Sequence, residues 1–364
     1  MVKDNFDRHT WQPVKVSVKG CALEDFIKKY PGIQIVDQLE AQLEELFLLR
    51  HPQYRFNREY QKDWLDYLKK NYNIEDLSLE GEWFYFPWSN RLVHYLGESF
   101  HNELRTGRNR NLITAEEQEK YYRSSIGILG MSVGSHVALT IAMTGGAKFL
   151  KLADPDTISG SNLNRIRSGF DMIGLGKVVA VARQIAEINP YVKVSVYEKG
   201  LTEENIDDFL RGEKELDLVV EEMDNPYLKL LVREKARFQG LPVIMAADNG
   251  DGVVVDVERF DFDKNYPILH GILGNKGATE LKQVEHRDLP GIIAKMAGAE
   301  FAAPRMMESV SAVGKSLYSW PQLGTAATLC GSVLTNLGRR ILLGDSFSSG
   351  RYVVGEKEMF KKVI

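Results

Sequence analysis

The sequence predicts a doubly wound α/β fold with a mostly parallel sheet, preceded by a smaller N-terminal α+β domain. From about residue 126 onward, short apolar segments alternate with helical ones in a regular rhythm. The first of these predicted strands runs into a glycine-containing turn that opens a helix. The preceding hundred or so residues lack this alternation, and a chain of 364 residues is long enough for two hydrophobic cores.

The N-terminal part, residues 1–106, is predicted to form a separate accessory domain. Residues 36–50 are apolar at helical spacing, and Pro52 ends this pattern. A second helix is predicted at 58–71. The aromatic run at 83–88 indicates a strand or a packing contact of the core rather than a surface that stacks a ligand.

Residues 107–364 are predicted to form the main domain. Thr114 and Glu117 have the spacing of a capping box, which starts a helix that ends near residue 123. The next elements are strands at 126–129, 149–153, 192–197, 216–220 and 242–246, with helices at 177–188, 203–210 and 227–239. Residues 252–258 predict a further strand, antiparallel and at the edge of the sheet, because apolar and acidic residues alternate there. Later elements are predicted as helices around 292–296 and 322–343 and a strand at 352–354.

The overall composition disfavours several classes of protein. The net charge is only −4, so no basic field attracts nucleic acid or anionic lipid. No segment has the eighteen or so apolar residues that a membrane helix requires, and the start of the chain lacks a signal-peptide core. We therefore expect a cytoplasmic protein that binds neither nucleic acid nor membrane. Cys21 and Cys330 are far apart, so we expect neither a disulfide framework nor a structural zinc site.

A glycine turn follows the first strand of the main domain. Gly130, Ser132 and Gly134 lie in this turn, just before a helix that begins near residue 135. In doubly wound folds this turn presents backbone N–H groups to phosphate. It is one position shorter than the usual dinucleotide motif, so by itself it fits a phosphate loop and an ordinary strand–helix connection equally.

Polar residues follow the strands of the predicted sheet. Asp154 ends the second strand, about twenty residues after the glycines, where a carboxylate can bind ribose hydroxyls. Arg165 and Lys177 follow, and two cations at this place can bind a triphosphate and stabilise charge on phosphorus. Asp224 follows the fourth strand and suits Mg²⁺, although by itself it also fits a solvated loop or a helix cap. With Asn162, these residues jointly predict a nucleotide phosphate site.

A longer series of short motifs occurs in a characteristic order. Its members are Gly134-Ser135, Ala138, Ala142, Gly145, Asp154-Pro155-Asp156, Ser161-Asn162-Leu163, Arg165, Gly176, Lys177, Asn189-Pro190 and Asp224-Asn225. This series resembles the Rossmann-like adenylation core of the ThiF/MoeB/HesA and ubiquitin-activating-enzyme superfamily. The resemblance covers about residues 108–258 and extends weakly into 321–324.

The resemblance implies an adenylyltransferase that uses ATP and Mg²⁺ and forms a homodimer. A carboxylate attacks the α-phosphate of ATP, which yields an acyl-adenylate and pyrophosphate. The carboxylate belongs to the C-terminus of a small carrier protein or peptide, or to a small molecule. It is already ionised at neutral pH, so the enzyme must supply positioning and charge neutralisation rather than a general base. The implied roles are ribose binding by Asp154, phosphate binding by Asn162, Arg165 and Lys177, nucleotide contact by the turn around Gly130, Ser132 and Gly134, and Mg²⁺ positioning by Asp224.

The sequence departs from the family pattern at several places. The glycine turn is short, and Ile166 replaces a glutamine that often follows the arginine. No cysteine occurs between residues 247 and 319, where the ubiquitin-activating branch carries its thioester cysteine, so we expect adenylation without an enzyme-bound thioester. Cys330 lies in an apolar helical segment and is predicted to be structural. An upstream arginine of the family has three candidates, Arg105, Arg108 and Arg110, which equally fit a solvated basic turn.

Two other functions remain open from the residues. A NAD- or FAD-dependent oxidoreductase shares the strand–glycine–helix–acid pattern, but a dinucleotide has no third phosphate for Arg165 and Lys177 to neutralise. A nucleotide-binding module without catalysis would fit the shortened turn.

Overall fold

The structure is a computed structural model that describes residues 10–18, 22–274, 276–285 and 288–355. Cys21 lies outside the described residues. The chain divides into two compact units. Unit 1 takes in the described residues up to Gln118 together with Met143–Gly145 and Ala186–Tyr191, and unit 2 takes in the rest. The predicted division between residues 106 and 107 stays a prediction. Within the described ranges, no helix is both long and apolar enough to cross a lipid bilayer.

The strands belong to two sheets. In chain order they are β1 (Val14–Val16), β2 (Gln34–Asp37), β3 (Glu82–Phe86), β4 (Arg91–Tyr95), β5 (Ser125–Leu129), β6 (Phe149–Ala153), β7 (Lys193–Tyr197), β8 (Leu218–Glu221), β9 (Val243–Asp248), β10 (Val253–Glu258) and β11 (Gly350–Val354).

The α-helices connect and cover these strands. They are α1 (Ala22–Lys29), α2 (Leu39–Arg50), α3 (Gln61–Asn71), α4 (Glu98–Arg105), α5 (Ala115–Tyr122), α6 (Gly134–Met143), α7 (Lys177–Ile188), α8 (Ile206–Arg211), α9 (Pro226–Gln239), α10 (Ala278–Leu281), α11 (Leu289–Ala297), α12 (Pro304–Ala312) and α13 (Gly324–Leu343). Short 3₁₀ turns include Gly160–Asn164 and Phe170–Met172.

Unit 1 is an α+β unit with a sheet of order β1-β3-β4-β2. The predicted helix at 36–50 is wrong at its start, because Val36 pairs with Val93 in the sheet and α2 begins only at Leu39. The side chain of Asp37 accepts a hydrogen bond from the Leu39 N–H at 3.1 Å, which supports this late helix start. The aromatic run forms β3 and packs into the core, as predicted.

Unit 2 contains a mostly parallel sheet of order β11-β10-β9-β8-β5-β6-β7. Strands β5 to β9 are parallel to their neighbours within this group, and β10 is antiparallel to both β9 and β11. The direction predicted for residues 252–258 is thus confirmed, but their place at the edge is wrong because β11 lies outside β10. The acidic residues of β10 are buried rather than solvated, since Asp256 pairs with Arg351 and Glu258 with Arg233.

Both faces of the sheet in unit 2 are covered by helices. Val219 and Val243 pack in one cluster with residues of α8 and α9. The neighbouring residues Leu218 and Ile244 lie against Gly338 of α13 on the other face, because successive side chains of a strand alternate between faces. The sheet is therefore buried on both sides, as expected for a doubly wound fold.

The strand order predicts a ligand crevice beyond the carboxyl ends of the parallel strands. β5 lies between β6 and β8, so the chain leaves the centre of the sheet in both directions. At such a switch point the loops after neighbouring strands separate, and ligands bind beyond the carboxyl ends of the strands. The glycine turn after β5 and the polar residues after β6, β8 and β9 all lie at this edge.

Candidate functional site

The glycine turn leaves β5 in a conformation that requires glycine. Gly130 has φ of +85°, and a Cβ atom there would come within 2.6 Å of the carbonyl carbon of Glu222 at the end of β8. Its N–H donates to the carbonyl of Ala153 at 2.8 Å. At Gly134 a Cβ atom would lie 2.9 Å from the Ile128 side chain. The turn is therefore packed closely between the ends of β6 and β8.

Asp154 holds this turn to the end of β6. Its carboxylate accepts hydrogen bonds from the N–H groups of Met131 at 2.6 Å and Asp156 at 2.8 Å. Burial raises the pKa of Asp154, whereas these N–H groups and the charge of Lys177 oppose the rise. Both carboxylate oxygens thus contact backbone, and the ribose-binding role of Asp154 stays a prediction.

Lys177 begins α7 and is held by carboxylates. Its ammonium group lies 2.8 Å from Asp156 and 3.9 Å from Asp154. Only 9% of the Lys177 side chain is exposed, against 66% for Asp156. A phosphate group that approaches Lys177 must therefore compete with the exposed carboxylate of Asp156.

Arg165 connects the segment after β6 with the glycine turn. Its Nε atom donates to the hydroxyl of Ser132 at 3.0 Å, which brings two of the predicted site residues together. Its backbone carbonyl accepts a hydrogen bond from Nε2 of the buried His136. Burial lowers the pKa of the Arg165 guanidinium, and the negative charges of Asp248 and Asp224 act in the opposite direction. Arg165 is thus a partly desolvated cation at the carboxyl edge.

Asn162 has a local role in the structure. Its side-chain oxygen accepts a hydrogen bond from the Ser159 N–H at 3.0 Å and closes a capping box around the 3₁₀ turn. This cap shapes the segment that carries Arg165. A direct contact of Asn162 with phosphate stays a prediction.

Asp224 is exposed at the end of β8. The residues on both sides of it are fixed: the Met223 N–H donates to Glu221 at 2.8 Å, and Asn225 caps α9 by accepting from the Leu228 N–H at 3.0 Å. Across the described ranges, no group of three or more His, Cys, Asp or Glu residues could hold a metal ion. An exposed single carboxylate nevertheless fits Mg²⁺, which takes one or two carboxylates together with substrate phosphates.

Two further carboxyl groups at this edge were not predicted as site residues. Glu222 accepts a hydrogen bond from the Ala246 N–H at 2.7 Å, and burial raises its pKa well above the usual value. Asp248 ends β9, and burial raises its pKa as well. Each directly follows or ends an apolar strand, which is the sequence signal that could have identified them. In both residues, burial disfavours the charged form of the carboxyl group.

Asp248 links the edge of the sheet to α13. It accepts hydrogen bonds from the Gln322 amide at 3.2 Å and from the Cys330 thiol at 3.4 Å. Cys330 is fully buried, and burial raises the pKa of its thiol well above the usual value. This thiol is therefore a poor nucleophile, which agrees with the structural role predicted for it.

The arginines upstream of β5 belong to unit 1. Arg110 pairs with Glu103 at 2.9 Å, and Arg105 donates to the carbonyl of Met143 at 3.5 Å. Arg108 is exposed. A contribution of any of them to the site stays a prediction. The departure at Ile166 has a simple reason, since this side chain is buried in the core.

The sequence of this chain is similar to those of several known proteins. Residues 106–354 match the model of the ThiF family. A protein of Mycobacterium tuberculosis, "Uncharacterized protein MT1398", is 38% identical over 269 residues, which cover 74% of this chain and 37% of that protein. The sulfur carrier protein adenylyltransferase of Thermus thermophilus is 28% identical over 163 residues, 44% of this chain and 56% of that protein. The chain thus spans less than two thirds of the length of either relative. Among solved structures, E. coli MccB with ATP is 18% identical with a TM-score of 0.47, over 70% of this chain and 68% of that one.

Proposed function

Because this chain belongs to the ThiF family, we propose that it uses ATP to adenylate a carboxylate and releases pyrophosphate. One observation carries the proposal: Arg165 donates a hydrogen bond to Ser132 of the glycine turn, beyond the carboxyl ends of the parallel strands. The name of the Thermus thermophilus relative, an adenylyltransferase of a sulfur carrier protein, points to the same reaction. The family match gives no support to a NAD- or FAD-dependent oxidoreductase.

The reaction moves charge on phosphate without a proton transfer. An oxygen of the acceptor carboxylate forms a bond to the α-phosphorus of ATP, and the bond from this phosphorus to the β-phosphate oxygen breaks. Arg165 and Lys177 bind the phosphate oxygens and stabilise the negative charge that shifts onto the leaving pyrophosphate.

Lys177 changes partner when ATP binds. In the structure its ammonium group contacts Asp156, which is two-thirds exposed and screened by water. A triphosphate carries more charge than this carboxylate and replaces it as the partner of Lys177. Asp154 keeps its hydrogen bond to the glycine turn, so the backbone of this turn stays in position to contact the nucleotide.

Asp224 is the residue that we propose for Mg²⁺, together with phosphate oxygens of ATP. When bound, the ion would neutralise charge on the phosphates that leave. The backbone that carries Asp224 is held on both sides, by Glu221 and by the cap of α9.

We propose that the acceptor is the C-terminal carboxylate of a small carrier protein or peptide. Residues 1–106 are the accessory region that recognises it. A homodimer in the cytoplasm, where ATP is supplied, completes the proposal. The glycine turn, Arg165, Lys177 and Asp224 all belong to unit 2.

The test is ATP–pyrophosphate exchange with Mg²⁺ in the presence of a fraction of small proteins and peptides from a lysate. Wild type is compared with Lys177→Ala and Asp224→Ala. Lys235→Ala is the matched control, because this lysine of α9 forms an exposed ion pair with Asp207 at 3.0 Å. Exchange that is lost in the first two variants and retained in the control supports adenylation. Binding of ATP by the wild type without any exchange would instead identify a non-catalytic nucleotide-binding module.

A further inference from the structure

We propose that Asn164 is a positioning residue whose side-chain amide aims the guanidinium of Arg165 at the nucleotide. This inference rests on the proposed function, since it assumes that Arg165 binds phosphate. Position 164 lies between Leu163 and Arg165 and is absent from the series of motifs that resembles the family, so the resemblance assigns nothing to it. The structure instead places its amide between two groups of the site.

The amide of Asn164 bridges a cation and a carbonyl. Its oxygen accepts a hydrogen bond from Nη1 of Arg165 at 3.0 Å, and its nitrogen donates to the backbone carbonyl of Gln322 at 2.7 Å. A guanidinium only donates and a carbonyl only accepts, so these partners allow one orientation of the amide. Asn164 itself is exposed, and its side chain is therefore ordered by these two bonds rather than by burial.

The carbonyl that holds Asn164 is itself anchored to the sheet. The side chain of Gln322 donates to Asp248 at the end of β9 at 3.2 Å. The backbones of Gly324 and Asn164 also lie close together, because a Cβ atom at Gly324 would lie 2.6 Å from the carbonyl oxygen of Asn164. Hydrogen bonds thus run from Asp248 through Gln322 and Asn164 to Arg165.

The far end of this chain of bonds is the glycine turn, where Nε of Arg165 donates to Ser132 at 3.0 Å. Nη1 has a second and longer contact, to the Ser161 carbonyl at 3.4 Å. With Nε and Nη1 both held, the plane of the guanidinium is fixed. In the described part of the chain, no acceptor takes a hydrogen bond from Nη2. This nitrogen is therefore the one that the bridge leaves to meet a phosphate oxygen.

A fixed guanidinium costs less entropy to bind phosphate than one that must first be ordered. Loss of the Asn164 bridge should therefore weaken only those contacts that Arg165 makes. A lysine at position 165 has no second nitrogen for Asn164 to hold, so the bridge has no effect in that background.

The experiment measures ATP–pyrophosphate exchange and ATP binding by titration calorimetry for Asn164→Ala, Arg165→Lys and the double variant. Asn164→Ala is expected to lower kcat/KM for ATP roughly fivefold, the effect of one lost hydrogen bond, with KM for the acceptor unchanged. In the Arg165→Lys background the same change is expected to have no further effect. Gln322→Leu removes the side-chain hydrogen bond to Asp248 and should lower kcat/KM for ATP by a smaller factor. Asn265→Ala, at an exposed position of unit 2, is the matched control and should equal wild type.

An Asn164→Ala variant that equals wild type, or that loses the same factor in both backgrounds, would overturn the positioning role while the proposed function stands. A wild type that binds ATP without exchange would overturn the proposed function alone. The inference is then judged by the dissociation constant of ATP, and an unchanged constant in Asn164→Ala would refute it.

Discussion

Replacing Arg233 with methionine should destabilise the protein strongly, because it breaks a buried ion-pair network beneath the site. The guanidinium of Arg233 lies 2.5 Å from Glu221 and 2.6 Å from Glu258, and all three side chains are fully buried. The variant retains both carboxylates without their shared cation: Glu221 keeps its ion pair with Lys229 at 3.1 Å, whereas Glu258 loses the cation that contacts it. Such an uncompensated buried charge costs about 3–5 kcal/mol of unfolding free energy.

Arg340→Met is a control that differs mainly in burial. Arg340 pairs with Asp345 at 2.7 Å, but their side chains are 39% and 36% exposed. Water screens this pair and solvates the carboxylate that remains, so the expected cost is about 1 kcal/mol or less. The N–O distances of the two ion pairs are similar. The difference in burial therefore predicts losses of unfolding free energy that differ several-fold between the two variants.

The cost of Arg233→Met should also depend on pH. Burial by itself raises the pKa of Glu221, but the charges of Lys229 and Arg233 outweigh it and hold this pKa below the ordinary value of 4.5. A carboxylate with a lowered folded-state pKa stabilises the fold above its ordinary pKa, and this stability is lost as the pH falls through the folded-state pKa. Loss of Arg233 raises the folded-state pKa, so the cost of the variant should be largest near pH 7 and shrink toward pH 4.5.

The assay is urea unfolding followed by far-ultraviolet circular dichroism at both pH values. Equal costs for Arg233→Met and Arg340→Met, or a cost of Arg233→Met that grows as the pH falls, would refute the reasoning. Exchange activity gives a second readout, since Glu221 also holds the backbone beside Asp224.

Three further changes have clear expected outcomes. Asp156→Asn should tighten ATP binding by up to about fivefold in calorimetric titration, because it removes the exposed carboxylate that competes for Lys177 at 2.8 Å; weaker binding would contradict the exchange of partners. Gly130→Ala should lower the melting temperature and exchange activity together, at a cost of about 2 kcal/mol or more, because it combines a positive φ with a clash against the Glu222 carbonyl. Lys151→Met should cost about 1–3 kcal/mol in urea unfolding, since its ammonium group donates to three backbone carbonyls at the end of α8; an unchanged midpoint would show that these bonds contribute nothing.

Local patterns in the sequence were sufficient for most elements of unit 2. The predicted strand at 149–153 and helix at 177–188 have the bounds that the structure shows. The predicted capping box of Thr114 and Glu117, which lies at the end of unit 1, is also present, with hydrogen bonds of 2.8 and 3.2 Å in the two directions. These features depend on periodicity and on contacts three residues apart, which a sequence displays directly.

Unit 1 was predicted less well, because its strands depend on pairing between distant segments. The helical spacing of residues 36–50 predicts a helix that includes Val36, whereas the partner of Val36 across the sheet is Val93, 57 positions away in the chain. Strand β4 and helix α4 had no prediction. Likewise, the acidic pattern of β10 indicated an edge strand, whereas ion pairs with the distant residues Arg351 and Arg233 accompany the burial of its carboxylates.

The sequence alone determined the fold class and the order of most strands and helices in residues 107–364, and it predicted a nucleotide site at the carboxyl ends of the strands. The tertiary structure decided how those residues are used. It bonded Asp154 to the glycine turn, paired Lys177 with Asp156, raised the pKa of Asp248 by burial, and placed the amide of Asn164 against Arg165. The physical reason is that hydrogen bonds and desolvation depend on distances between segments far apart in the chain, whereas secondary-structure patterns depend on neighbours.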